Sequence, residues 1–126
     1  MKIVDIDKNQ KYHYDKFIKI INKIIKNSGN ESRLKFSIFD WLETEENYIL
    51  APDIESNDSV FRGKCLFYCD CWCNKYKSRI INNPTWKDII IEANNAANGD
   101  HIFLEAITLK KTTKTSVKYY ELFFGS

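Results

Sequence analysis

Cys65, Cys69, Cys71 and Cys73 all occupy odd positions of one extended run, residues 59–73, and Phe61 and Phe67 are odd as well. Successive side chains of a strand point to opposite faces, so an extended chain here collects the four thiols and two phenyl rings on one side. Arg62, Lys64, Tyr68, Asp70 and Trp72 fall on the other. A fold that uses this strand must cover one face, and the thiol-phenyl face is the better core candidate. Tyr68 and Trp72 are then the exposed aromatics. Fifteen residues exceed an ordinary strand, so a bend or bulge is expected within the run.

The cysteine spacing C-x3-C-x-C-x-C lacks paired C-x2-C knuckles, and no second Cys or His cluster completes a zinc site. Same-face neighbours on a strand stand about 6–7 Å apart, too far for the Cβ separation of about 3.5–4.5 Å in a disulfide. The four thiols therefore read as small buried hydrophobes in a reducing compartment, with no metal and no cofactor. Metal or redox use would need a bulge that gathers Cys69, Cys71 and Cys73.

Two helices frame this strand. Tyr14, Phe17, Ile18, Ile21, Ile24 and Ile25 recur at helical spacing, Lys16, Lys19, Lys23 and Lys26 take the opposite face, and Gly29 is placed to end the turn. A core-facing helix is predicted over about residues 12–27; its apolar face lacks the Trp that would suit a membrane surface. A second helix is predicted from Asn83-Pro84-Thr85 to Gly99, with Trp86, Ile89, Ile90, Ala93, Ala96 and Ala97 on its apolar face. Its N-cap is Asn83, or Thr85 with Asp88 in a capping box.

Period-two alternation marks further strands at 33–41, 101–109 and 116–124, the last two joined as a hairpin by the polar segment 110–115. Residues 48–51 and 76–81 are weaker strands. With 126 residues and 44% hydrophobic content, one domain spanning 1–126 is expected. The element order predicts an α+β fold: an antiparallel sheet of four to six strands with two amphipathic helices packed on one face. No apolar run suits a signal peptide or membrane span, so the cytosol is the expected compartment.

Nineteen basic and 17 acidic residues leave the chain at +2, which argues against a general nucleic-acid binder. The distribution is uneven: residues 40–61 carry seven acids and no Lys or Arg. Within them Asp40, Trp41, Glu43, Glu45, Glu46 and Tyr48 mix carboxylates with aromatic anchors. Such a surface suits a basic protein partner, through steering and anchor burial. The alternative is an ordinary solvated acidic loop.

Catalytic motifs are sparse. With four Gly and no phosphate loop, nucleotide fingerprint, Gly-x-Ser-x-Gly elbow or His-Glu-x-x-His pair, the familiar sites are missing. His101 and Glu105 share a strand face beside Asp100, and with a cysteine from the 59–73 strand they would make a ligand or acid-base site. The favoured expectation is a non-catalytic binding or inhibitor module acting through protein contacts, as immunity proteins or phage anti-defence proteins do. Self-association into a homo-oligomer is compatible with it. The alternatives are a small-molecule or nucleotide site at His101 and Glu105, and a single-stranded nucleic-acid binder using Tyr68, Trp72, Arg62 and Lys64.

Overall fold

The computed structural model describes residues 8–36, 43–44, 56–71, 74–99 and 101–125. The elements run α1 (Lys8–Asn27), β1 (Glu43–Thr44), β2 (Lys64–Cys71), β3 (Asn74–Lys77), β4 (Ile81–Asn82), α2 (Trp86–Ala96), β5 (Phe103–Thr112) and β6 (Val117–Gly125). The α+β class expected from the sequence holds. Strand order in the sheet is β1-β5-β6-β2-β3, with β4 also paired to β2. The sheet is mixed rather than wholly antiparallel, because β1 runs parallel to β5 and β2 runs parallel to β6. A parallel pair needs a long crossover, and β3, β4, α2 and β5 all lie between β2 and β6.

β2 is the strand read from the cysteines, and its faces are divided as expected. Cys65 and Phe67 are fully buried and Cys69 is nearly so. They meet Phe17, Ile21 and Ile25 of α1 and Trp86, Ile89, Ile90 and Ala93 of α2 in one core cluster, which Ile107, Tyr120 and Leu122 of β5 and β6 complete. α2 lies on β2 and β3, and α1 packs beside α2. The expected 59–73 strand is shorter than its pattern: Gly63 has φ of +85°, a conformation that favours glycine, and the ladder begins at Lys64.

Thr85, not Asn83, caps α2, in a box where the Asp88 N–H donates to Thr85 Oγ1 and the Thr85 N–H donates to Asp88 Oδ2. Asn83 is engaged elsewhere, with φ of +50°, its side chain accepting from the Gly63 N–H at 2.6 Å. The helix ends at Ala96 rather than Gly99. Gly29, φ of +84°, follows α1 as expected. The 33–41 strand reduces to one parallel bridge between Lys35 and Phe103 within the described residues. The 76–81 candidate separates into β3 and β4, and 48–51 lies outside the described residues. The β5–β6 hairpin forms, with β5 extending to Thr112 and the turn closed by Thr113 N–H to Val117 O at 2.9 Å.

Asn94 joins α2 to the chain that follows α1. It is fully buried, its Oδ1 accepts from the main-chain N–H of Arg33 and Leu34 at 2.7 and 3.0 Å, and its Nδ2 donates to Glu31 O at 2.9 Å. Arg33 adds bonds to the Ala97 and Asn94 carbonyls at the C-terminal end of α2. Asn94→Leu removes the partner of three main-chain groups and leaves the buried Leu34 N–H and the part-buried Arg33 N–H and Glu31 carbonyl without it. The expected cost is about 3 kcal/mol or more, read as a lower denaturation midpoint at unchanged slope; a loss below about 0.5 kcal/mol would show that the clamp is dispensable.

Candidate functional site

The side chains of β2, β3, β5 and β6 that point away from the helices form the second face of the sheet. Strand pairing sets their rows. Leu66 lies opposite Tyr119, and Tyr68 lies opposite Glu121 on one side and Lys77 on the other. Lys111 lies opposite Tyr119, and Ala106 opposite Phe123. The Tyr68 and Tyr119 rings meet edge to face, centroids 6.2 Å apart. Lys111 Nζ stands 4.7 Å and Lys77 Nζ 5.6 Å from the centre of the Tyr119 ring, within cation–π range. Lys110 Nζ stands 5.3 Å from the Phe123 ring. Leu66 supplies a nearly covered apolar floor, while Phe123 is 38% exposed.

Charge on this face is partly matched. Lys75 pairs with Asp70 and Lys110 with Glu121, each at 3.7 Å. Among the described residues no carboxylate forms an ion pair with Lys64, Lys77 or Lys111, so the surplus is positive around Tyr119. Tyr68 keeps its phenol protonated, because partial burial and the nearby carboxylates of Glu121 and Asp70 all push its pKa up. A shallow depression of about 530 Å³ opens here, lined by Tyr68, Cys69, Asp70, Lys75, Tyr76, Lys77, Lys111 and Tyr119.

Lys111 reaches this face through a bulge. Leu109 pairs with Tyr120 on the core side and the register then shifts, so that Lys111, odd like Leu109, pairs with Tyr119 on the outer side. Strict alternation would turn it inward. Tyr119, Lys77, Lys111 and Phe123 were therefore not legible as site residues from the sequence. The one available signal was the Tyr119-Tyr120 pair, of which a two-faced strand must expose one member.

Of the residues singled out from the sequence, Tyr68 lies at the centre of the face, with Lys64 in its row and Arg62 exposed just before β2. Trp72, Cys73, Asp40, Trp41, Glu45, Glu46, Tyr48 and Asp100 lie outside the described residues. Glu43 is placed by its main chain alone, in β1 opposite Ala106. His101 belongs to the α2–β5 turn, exchanging main-chain bonds with Asn98, and the exposed Glu105 is the unpaired residue of the first β5 bulge.

The sheet order sets the strand of Glu105 apart from that of Cys65 and Cys69. β6 lies between β5 and β2, so their main chains stand two strand spacings apart, about 10 Å. His101 also precedes Phe103, which pairs with Gly125, whereas Cys65 pairs with Lys118 near the opposite end of β6. Cys65 and Cys69 are buried in the core, and burial pushes the Cys65 pKa up although Lys118 opposes it. The described residues contain no group of three or more His, Cys, Asp or Glu arranged to hold a metal, and no described helix is long and apolar enough to cross a membrane.

No protein-family model, no curated protein and no solved structure matches this chain.

Beneath the face, β3 is tied to α2 by the half-buried Tyr76, whose hydroxyl donates to Glu92 Oε1. Burial first, then this hydrogen bond and the Glu92 charge, push the Tyr76 phenol up to about 12. The native state thus holds a proton that the unfolded chain releases near the ordinary tyrosine value of about 10. Stability from this contact is present in full below that value and lost as pH rises towards about 12. Tyr76→Phe should flatten the decline in denaturation midpoint across this window; an equally steep decline in the variant would show that Tyr76 does not carry it.

Proposed function

We propose that the protein is a non-catalytic binding module and that its working surface is the sheet face turned away from the helices, which takes an anionic partner. The observation that carries this reading is the Tyr119 ring, bracketed by the Lys77 and Lys111 ammonium groups beside Tyr68. Grouped rings that are half-buried or exposed, as Tyr68, Tyr119 and Phe123 are, mark binding surfaces. Surplus lysine charge around them selects negative partners and speeds encounter.

Of the acidic stretch, Glu43 is anchored away from this charge. The Glu43 main chain pairs with Ala106, five residues and about 17 Å along β5 from Lys111. That exceeds the screening length of about 8 Å at physiological salt. The acidic residues, Trp41 and Tyr48 would belong to a separate contact with a basic protein, the reading that their composition supports.

Heparin, a polyanion, tests the charge requirement. The double variant Lys77→Glu, Lys111→Glu should elute from immobilised heparin at markedly lower salt than the wild type. Lys19→Glu with Lys26→Glu, an equal charge change on the exposed face of α1, should move elution much less. If the α1 pair abolishes retention and the sheet pair leaves it unchanged, the surface is assigned wrongly.

A further inference from the structure

We infer that the partner taken by this face is a single-stranded nucleic acid, with bases stacked on Tyr119 and Tyr68 and phosphates held by Lys77, Lys111 and Lys64. This rests on the reading of the sheet face as an anion-binding surface and identifies the anion.

An aromatic ring has a negative face, which attracts cations and repels carboxylates. That is how Lys77 and Lys111 come to lie over Tyr119. An acidic peptide could use the lysines but would gain nothing from the rings, since its charge would be turned towards their negative faces. A single strand uses both: every base offers a π-face for stacking, and each phosphate offers a partner for an ammonium group. On binding, the flexible lysines leave the ring for a phosphate and the base takes their place, exchanging a weak exposed cation–π contact for stacking and a charge-assisted hydrogen bond.

Duplex is disfavoured by the same geometry. Its bases are stacked on each other and present no π-face to a sheet. The described face also lacks a projecting helix or ribbon to enter a groove. The aromatic row extends along β6, with Tyr119 and Phe123 four residues and about 13 Å apart, so the face can follow an extended strand beyond one base. Glu121 between them is paired with Lys110, which lessens the repulsion that a passing phosphate would meet. The near-zero net charge of the chain is no obstacle, because a short single-strand site needs few phosphate contacts rather than a basic surface throughout.

Fluorescence anisotropy of a labelled oligothymidylate of about twelve nucleotides, within the range of sites on single-strand binding folds, tests this directly. The wild type should bind it more tightly than a duplex of equal length and more tightly than an abasic strand carrying the same phosphates. Tyr119→Ala should weaken binding about tenfold or more, while Tyr119→Phe, which keeps the ring, should bind nearly as the wild type. With three lysines engaged, the logarithm of affinity should fall with the logarithm of salt at a slope of about −2.

Equal binding of abasic and base-bearing strands, or equal competition by polyglutamate, overturns the inference. If the sheet-lysine double variant still loses heparin retention, the anion-binding reading survives that failure. If oligothymidylate and heparin binding are both indifferent to the sheet-face variants, both fall. Should Tyr119→Ala fail to fold, the abasic strand and Tyr119→Phe still decide the matter.

Discussion

The packing of Cys65, Phe67 and Cys69 against the two helices fixes the rest of the molecule. Once these side chains enter the core, the pleat of β2 sends Lys64, Leu66, Tyr68 and Asp70 to the opposite side. Burial decides the direction. Covering a ring such as Phe67 is worth about 2–3 kcal/mol, whereas a cation–π contact at an exposed ring is worth about 0.5–1 kcal/mol. A one-residue slip would reverse both faces at once. The face with rings and lysines is therefore a consequence of where the thiols went, and β6 follows it through register, with Tyr120 beside Phe67 inside and Tyr119 beside Leu66 outside.

Much of this was legible in the sequence because it depends on short-range periodicity. Both helices, the β5–β6 hairpin, the α+β class and the buried face of β2 follow from spacing and from the burial preferences of Cys, Phe and Ile. The failures have specific causes. The parallel pairing of β2 with β6 depends on the long crossover, which no local pattern records. Asn83 looked like an N-cap but is held by Gly63, a neighbour twenty residues away. Asn94 read as one of several polar helix residues, and its role as a clamp appears only when the chain at 31–34 comes alongside it.

The candidate site shows the same division. Tyr68 was recognisable from strand parity alone, but its partners come from three other strands and one bulge. Lys111 in particular is turned outward by a register shift that strict alternation contradicts. His101 and Glu105 were grouped with the cysteines on residue chemistry. Sheet order separates them, since β6 intervenes between β5 and β2. A constellation inferred from residue types on one strand is only as good as the assumed neighbouring strand.

One division governs the molecule: Phe67 and Tyr120 lie inside, Tyr68 and Tyr119 on the outer face proposed to bind. Hydroxyl-radical footprinting with residue-level mass spectrometry reads all four in one experiment. The expected result is oxidation of Tyr68 and Tyr119 in the free protein, protection of both on adding oligothymidylate, and low reactivity of Phe67 and Tyr120 throughout. Reactive Phe67 and Tyr120 with protected Tyr68 and Tyr119 in the free protein would contradict the division, and with it the placement of the binding face.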